Sequence, residues 1–216
     1  MRALVMGYHT MGCLGFDALL RHGFTIPAVF THEDDPKEEI WWESLAQRAE
    51  GKGVPVHYPQ SMKDPKTQAL VASYAPDFIF SFYFRFMIPP EVLEIAKRGA
   101  LNLHGSLLPR YRGRAPANWV LVNGEQETGV SLHYMVAKPD AGELVDQERV
   151  AIVFEETPLS LYAKLEQAAV KILDRTLPLL KAGEGGILVL KDEEMARKLR
   201  ALRFHGLEKQ AWNRYA

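Results

Sequence analysis

The residues whose chemistry is easiest to interpret lie at one predicted strand end and in one later loop. Asn102 and His104 are two positions apart, and Asp140 follows in an Asp-Ala-Gly sequence. If residues 100–104 form a β-strand, Asn102 and His104 project from the same face. An imidazole with a carboxylate partner is a general-base arrangement, and a nearby amide can stabilise an oxyanion. This combination predicts acyl transfer rather than hydride or phosphoryl transfer.

Two further segments near this strand have compositions that suit ligand binding. Residues 106–114 place three arginines in a predicted loop, where they would either be solvated or bind a phosphate or carboxylate. Residues 80–88 are rich in aromatic side chains. Their second half, Phe84–Ile88, is expected in a loop at the carboxyl end of the sheet, where such folds bind ligands. Exposed rings there suit a flat heterocycle, and burial in the core is the alternative.

Three other candidate sites are disfavoured by their spacing. Gly7–Gly15 lies where a strand turns into a helix, but His9 stands where a dinucleotide-binding turn needs its second glycine. This predicts a tight turn rather than NAD binding. Ser106 lacks the strand-turn-helix context of a hydrolase nucleophile. His9, His32 and His133 have no metal-ligand spacing with a cysteine or carboxylate, so the sequence predicts no metal.

The elements that would position these residues alternate between strand and helix in the first half of the chain. Apolar runs predict parallel strands at 3–6, 26–30, 54–57, 78–82 and 100–104. Helical spacing predicts helices at 11–21, 38–50, 65–73, 91–97, 116–122 and 159–181. After Gly113, alternating residues predict antiparallel strands at 129–136 and 143–153. The predicted fold class is α/β, a Rossmann-like, doubly wound and mostly parallel sheet with an antiparallel extension.

Composition restricts the class of partner. The 216 residues include 26 basic and 27 acidic side chains, and the formal net charge of −1 offers no whole-chain basic excess for a nucleic acid. The single cysteine, Cys13, allows no internal disulfide. No apolar stretch approaches the length of a membrane helix or a signal peptide. The sequence therefore predicts a cytoplasmic protein with small-molecule partners, no nucleic acid and no membrane span, and it leaves the oligomeric state open.

Together these segments resemble the formyltransferase family that uses 10-formyltetrahydrofolate. The resemblance covers residues 1–183 and rests on four motifs. These are Asn102-Leu-His104, residues 106–116, residues 123–129 and Asp140-Ala-Gly142. The resemblance implies that 10-formyltetrahydrofolate is the cosubstrate.

Within this family the chain is most similar to one kind of domain. Residues 8–15 and 80–83 and the tripeptide His104-Gly-Ser106 resemble the formyltransferase domain that acts on UDP-4-amino-4-deoxy-L-arabinose. Methionyl-tRNA formyltransferases usually have a different residue where Gly105 stands, and they carry a further C-terminal domain. The resemblance therefore implies a nucleotide-linked amino sugar as the acceptor.

The resemblance also implies roles for individual residues. The amine of the sugar attacks the formyl carbon while His104 assists proton removal, Asn102 stabilises the oxyanion and Asp140 tunes His104. The residues implied at the border of the folate site are Phe86, Met87, Ile88, Arg114, Val136, Ala137, Lys138, Pro139 and Asp140.

The C-terminal residues depart from this family. Residues 183–206 instead resemble a segment of pyridoxal-phosphate sugar aminotransferases, in which Glu-Gly-Gly and a strand follow the Schiff-base lysine. Lys181 lies close by, but the Ser-Phe-His-type context before that lysine is absent. We therefore expect no pyridoxal phosphate. The predicted organisation is a formyltransferase domain over 1–183 and an atypical strand-plus-helix tail over 184–216, joined by fusion or truncation.

Three alternative functions remain open at this point. Methionyl-tRNA formylation would require a basic C-terminal domain and salt-dependent tRNA binding. A folate-binding module would bind the cosubstrate without turnover. Hydrolysis of formyltetrahydrofolate would use similar residues but transfer the formyl group to water, with release of formate.

Overall fold

A computed structural model of the protein describes residues 1–182, in which seven strands and six helices follow one another along the chain. The strands are β1 (Ala3–Gly7), β2 (Val29–Phe30), β3 (Val56–His57), β4 (Phe78–Phe82), β5 (Ala100–His104), β6 (Glu127–Tyr134) and β7 (Leu144–Ala151). The helices are α1 (His9–Arg21), α2 (Leu45–Glu50), α3 (Pro65–Ser73), α4 (Pro90–Leu93), α5 (Pro116–Val122) and α6 (Pro158–Ala182).

These strands form a single sheet in the order β3-β2-β1-β4-β5-β6-β7. Strands β1 to β5 are parallel, whereas β6 and β7 are antiparallel to their neighbours. The chain runs outward from β1 to β3 and then returns to the other side of β1 as β4. Because parallel strands end at the same edge, the loops after β1, β2, β4 and β5 meet there, which is where open α/β sheets bind ligands.

Apolar side chains cover both faces of the sheet. Ala3 and Val5 of β1 pack in a core with buried residues of α1 and α6, while Leu4 and Met6 pack in a second core with residues of α3 and α4. Successive residues of a strand point to opposite faces, so helices must cover both sides. The doubly wound sheet with an antiparallel extension is confirmed.

One predicted helix is wrong over its first half. The helix expected at 38–50 begins only at Leu45, after the Ser44 cap. The segment before the cap is held by packing against the start of α1: the Trp42 ring stacks on the His9 ring, with the centroids 4.8 Å apart. Tertiary contact of this aromatic side chain therefore replaces the expected helical turns.

Other predicted elements differ at their ends. The strand expected at 26–30 contains only Val29–Phe30, since Pro27 has no amide hydrogen to donate to a neighbouring strand. The helix expected at 91–97 ends at Leu93. Helix α6 continues through Pro178 to Ala182.

The tail predicted over 184–216 lies outside the described residues. Within residues 1–182, no helix combines the length and the apolar character needed to cross a membrane.

Candidate active site

The structure brings Asn102, His104 and Asp140 together at the carboxyl end of β5. Asn102 and His104 come from alternate positions of the strand, and Asp140 comes from the loop after β6. Asn102 Nδ2 lies 3.4 Å from Asp140 Oδ1, and His104 Nδ1 lies 3.6 Å from Asp140 Oδ2. The amide, imidazole and carboxylate identified in the sequence therefore form one cluster.

The His104 ring is held in a defined orientation. Its Nε2 lies 2.8 Å from the carbonyl oxygen of Tyr111, an oxygen that can only accept, so Nε2 carries the proton and the lone pair of the neutral ring is on Nδ1. Burial lowers the pKa of His104, and the Asp140 carboxylate opposes this effect only in part. The ring is therefore neutral near pH 7 and can accept a proton at Nδ1.

The Asp140 carboxylate is fixed by several neighbours. Its backbone has a φ of 47°, in the left-handed region, and the Gly113 amide donates to its Oδ2 at 2.9 Å. Burial alone would raise the pKa of Asp140, but interactions with His133, His104 and the Gly113 amide together lower it to about 2. The carboxylate is charged at neutral pH and can stabilise an imidazolium at His104.

His133 is a fourth member of this cluster, and the sequence analysis treated it only as a metal-ligand candidate. It pairs with Asn102 across the antiparallel β5–β6 ladder, and its Nε2 lies 3.3 Å from Asn102 Nδ2 and 3.4 Å from Asp140 Oδ1. Its Nδ1 lies 2.8 Å from the Tyr134 carbonyl oxygen. Nε2 can thus accept from Asn102 in the neutral ring or donate to Asp140 in the protonated ring. Only the strand register reveals this contact.

In the arginine-rich loop, residues 106–114, some side chains are bonded within the protein and others are exposed. Arg110 pairs with Glu125 at 2.5 Å, whereas Arg114 is exposed and makes no ion pair within residues 1–182. Ser106 is buried and donates to the Arg110 carbonyl at 2.6 Å, so its hydroxyl shapes the loop. The loop therefore presents the Gly113 amide to Asp140 and leaves Arg114 accessible to a ligand.

Apart from Arg114 on the arginine-rich loop, the residues implied at the folate border lie on two neighbouring loops, one after β4 and one after β6. Phe86 and Met87 are 36% and 59% exposed, whereas Ile88 is only 8% exposed and belongs to the second core. Residues 136–139 are exposed, and Met135 before them packs against the same core as Ile88. Ile88 can thus offer only its backbone to a ligand, while the neighbouring apolar side chains are open.

His32 supports the first of these loops. Its Nε2 accepts a hydrogen bond from the Arg85 amide at 3.0 Å, and its ring packs on Phe84 with centroids 4.4 Å apart. Burial and, to a lesser extent, the nearby Arg85 charge lower the pKa of His32 to about 4. The neutral ring can therefore remain an acceptor throughout the physiological pH range.

Gly105, directly after His104, borders the partly buried side chain of Tyr83. A Cβ at this position would lie 2.6 Å from Tyr83 Oη. That hydroxyl is buried and has no hydrogen-bond partner among residues 1–182. A glycine is therefore needed for the close approach of Tyr83 to the carboxyl end of β5.

The described residues contain no group of three or more histidine, cysteine, aspartate or glutamate side chains that could hold a metal ion. This arrangement can perform acid–base chemistry with an oriented imidazole, a charged carboxylate and an amide donor.

Three solved structures illustrate the similarity of this fold to known proteins. Phosphoribosylglycinamide formyltransferase from Bacillus halodurans has a TM-score of 0.73 and 18% identity, over 88% of this chain and 100% of that one. An N-formyltransferase from Helicobacter canadensis, in complex with folinic acid and dTDP-3-aminofucose, has a TM-score of 0.65 and 20% identity, over 84% and 64%. A formyltetrahydrofolate deformylase from Pseudomonas syringae pv. tomato has a TM-score of 0.68 and 20% identity, over 82% and 60%. At these identities the likeness shows the fold.

Two sequence families match different parts of the chain, and the two matches meet near the end of α6. Residues 176–216 match the DegT/DnrJ/EryC1/StrS aminotransferase family, which overlaps the predicted tail. Residues 21–177, which include every predicted catalytic and folate-border residue, match the Formyl transferase family. The protein is therefore a formyl-transfer enzyme that belongs to the formyl transferase family.

Proposed function

We propose that this protein transfers a formyl group from 10-formyltetrahydrofolate to the amine of a nucleotide-linked amino sugar, with UDP-4-amino-4-deoxy-L-arabinose as the leading acceptor. The observation that carries the proposal is the convergence of Asn102, His104 and Asp140 at the carboxyl end of β5. Proton removal and oxyanion stabilisation, the two tasks of formyl transfer to an amine, match the chemistry of these side chains.

His104 is proposed as the proton shuttle. When the amine nitrogen forms its bond to the formyl carbon, the nitrogen becomes more acidic and its proton passes to Nδ1 of His104. The same proton is then delivered to the departing folate nitrogen, so that the reaction ends with a formamide and no net proton change. Asp140, charged and 3.6 Å from Nδ1, stabilises the imidazolium between these two transfers.

Asn102 is proposed as the oxyanion donor. Its Nδ2 carries two N–H groups, and its neighbours His133 and Asp140 lie at 3.3 and 3.4 Å, which are long contacts for hydrogen bonds. A carbonyl oxygen that gains negative charge would compete well for one of these N–H groups, because charge-assisted hydrogen bonds are stronger. Such a donor contributes roughly 2.7–4 kcal/mol to lowering the barrier.

The residues bordering the site suit a folate. The exposed side chains of Phe86 and Met87 offer an apolar surface for a flat heterocycle. Arg114 and Lys138 are exposed cations on the adjoining loops, and they suit the glutamate carboxylates of a folate. When bound, the cosubstrate supplies the formyl group.

An amino-sugar acceptor is supported by two features. The motifs around Tyr8, Tyr83 and Gly105 are similar to those of the UDP-4-amino-4-deoxy-L-arabinose formyltransferase domain. The Helicobacter canadensis structure also contains a nucleotide amino sugar, although its likeness to this chain extends only to the fold.

The experiment is an acceptor panel. The protein is incubated with 10-formyltetrahydrofolate and UDP- or dTDP-linked amino sugars, and products are examined by mass spectrometry for the added formyl group. Formylation of an amino sugar supports the proposal. Formate release without an amine would identify a deformylase, formylation of methionyl-tRNA would identify the tRNA enzyme, and folate binding without any product would identify a binding module. Any of these three results overturns the proposal.

A further inference from the structure

A cavity of about 310 Å³ lies beside the candidate active site, at the carboxyl ends of β1 and β2. This volume is at the lower end of the range for small-molecule sites. Its walls combine aromatic side chains with carboxylates. The aromatic and carboxylate residues most relevant here are Tyr8, Trp42, Tyr58, Glu33 and Asp34.

The cavity is close to the catalytic strand but separate from it. His9 lines the cavity, and the centroid of its ring is 6.1 Å from that of Tyr83. The Tyr83 hydroxyl in turn lies 2.6 Å from the point where a Cβ of Gly105 would be. Two side chains, His9 and Tyr83, therefore link the cavity to the residue that follows His104. A ligand in the cavity could extend past them and place a reactive group at the catalytic cluster.

The carboxylates indicate which part of such a ligand the cavity prefers. Glu33 and Asp34 lie in the loop after β2, separated from the strand by two residues, and both are exposed. They line the same cavity as Tyr8 and His9 of the turn between β1 and α1. A carboxylate at the end of the second strand is the group that binds ribose hydroxyls in doubly wound folds. The same charges repel phosphate groups. The cavity therefore favours a neutral, hydroxyl-rich unit over a diphosphate.

Asp34 is held ready for such a contact. The Tyr8 hydroxyl donates to its Oδ1 at 2.5 Å, while its Oδ2 makes no hydrogen bond within the described part of the chain. Burial and the Asp34 carboxylate raise the pKa of Tyr8 to about 12, so this hydroxyl stays a donor at all working pH values. One carboxylate oxygen is thus positioned by the protein and the other is available to a ligand.

The remaining walls suit a planar base. Trp42 and Tyr58 line the cavity, and Trp42 is half-buried against His9. His9 Nδ1 and Trp42 Nε1 are buried without hydrogen-bond partners among residues 1–182. Buried polar groups usually have a hydrogen-bond partner, so these two atoms are exceptions. Aromatic faces with nearby polar atoms are typical of sites for heterocycles.

We propose that this cavity binds the nucleoside of the nucleotide sugar, with the ribose hydroxyls on Asp34 and Glu33 and the base against Trp42. The inference rests on the function proposed above. The diphosphate would then leave the cavity toward His9 and Tyr83, and the amino sugar would reach His104.

The test measures nucleotide binding to the full chain by titration calorimetry. UMP is compared with dUMP, which lacks only the 2′-hydroxyl, and UMP is expected to bind more tightly. Asp34→Asn should reduce that preference at least threefold, whereas the matched control Asp35→Asn, on the adjacent residue outside the cavity wall, should preserve it. Trp42→Leu should weaken both nucleotides at least tenfold, and unchanged binding of folinic acid to each variant shows that the fold is intact.

Two results would overturn the nucleoside site. One is that both the affinity for UMP and the preference for UMP over dUMP are unaltered in Asp34→Asn and in Trp42→Leu. The other is competition between folinic acid and UMP, which would assign the cavity to the folate. The acceptor panel separates this failure from failure of the proposed function. If amino sugars are formylated but neither substitution changes UMP binding, only the cavity assignment is refuted. If UMP binding changes as expected but no amino sugar is formylated, the proposed function is refuted.

Discussion

Replacing Gly105 by alanine is expected to damage the site through a collision with a single atom. The new Cβ would lie 2.6 Å from Tyr83 Oη, whereas the next nearest atoms, Tyr83 Cζ and Pro116 Cγ, would be 3.4 and 3.6 Å away. The Tyr83 ring has little room to move, since its backbone φ is 57° and it packs against His9 and Tyr162. Overpacking of this kind costs about 1–3 kcal/mol of folding free energy.

The Tyr83→Phe substitution should relieve the collision. Without Oη, the nearest atoms to the alanine Cβ are those at 3.4 Å and beyond, an ordinary van der Waals distance. The hydroxyl has no partner within residues 1–182, so its removal should cost little. An unpaired buried hydroxyl is itself unfavourable by about 1–3 kcal/mol. The double variant should therefore regain most of the stability that Gly105→Ala loses, with a coupling energy of about 1–3 kcal/mol.

Urea unfolding of the wild type, both single variants and the double variant measures this coupling. In thermal unfolding of a chain of this size, each 1 kcal/mol of lost folding free energy lowers the Tm by roughly 2–4 °C. Turnover should also be lowered by Gly105→Ala and largely regained in the double variant, because residue 105 directly follows His104. Additive effects, with a coupling below about 0.5 kcal/mol, would show that the Tyr83 hydroxyl is not the obstacle and would refute the reasoning.

Three further predictions concern Asn102, Asp140 and His9. Asn102→Ala should lower kcat by roughly 10²–10³ with the unfolding free energy unchanged; Asn118→Ala, an exposed amide on α5, is the control, and an undiminished kcat would remove Asn102 from the mechanism. Asp140→Asn should lower kcat and move the acid limb of the kcat–pH profile to lower pH, because the carboxylate raises the pKa of His104; an unmoved limb would show that Asp140 does not act through His104. Burial lowers the pKa of His9 to about 4, so below pH 6.5 the unfolded chain binds a proton that the folded chain excludes. His32, whose pKa is also lowered to about 4, adds the same kind of loss in the wild type and in His9→Gln. Urea unfolding between pH 6.5 and 4 should therefore show a slope of unfolding free energy against pH that is less steep in His9→Gln than in the wild type by about 1.4 kcal/mol per pH unit, and equal slopes in the two proteins would contradict this assignment.

The elements that could be predicted from sequence are those with strong local signals. Strand β4 has its predicted bounds because it is a nearly continuous run of β-prone apolar residues, whereas β5 has its predicted bounds although Asn102 and His104 interrupt its apolar residues. Helix α3 also has its predicted bounds, since Asp64 caps its amide groups and Pro65 begins it. The segment before α2 had a helical pattern but no such signal, and the packing of Trp42 on His9 overrides the pattern.

The cluster of Asn102, His104 and Asp140 could be predicted only in part, because a strand places two of its members and a loop places the third. The two-residue period of a strand is enough to place Asn102 and His104 on one face. Their contact with Asp140 depends on how the loop after β6 folds back, with φ in the left-handed region at Asp140 and the Gly113 amide as an anchor. No spacing in the sequence encodes that return.

His133 shows why register matters to the proposed chemistry. It faces Asn102 because the antiparallel β5–β6 ladder pairs these two positions, and a shift of one residue would present Leu132 or Tyr134 instead. His133 Nε2 and Asp140 Oδ1 lie on the same amide nitrogen of Asn102, at 3.3 and 3.4 Å. Together they determine where the N–H groups of Asn102 point. The orientation of the proposed oxyanion donor is therefore a consequence of strand pairing, and it becomes evident only once the sheet has been assembled.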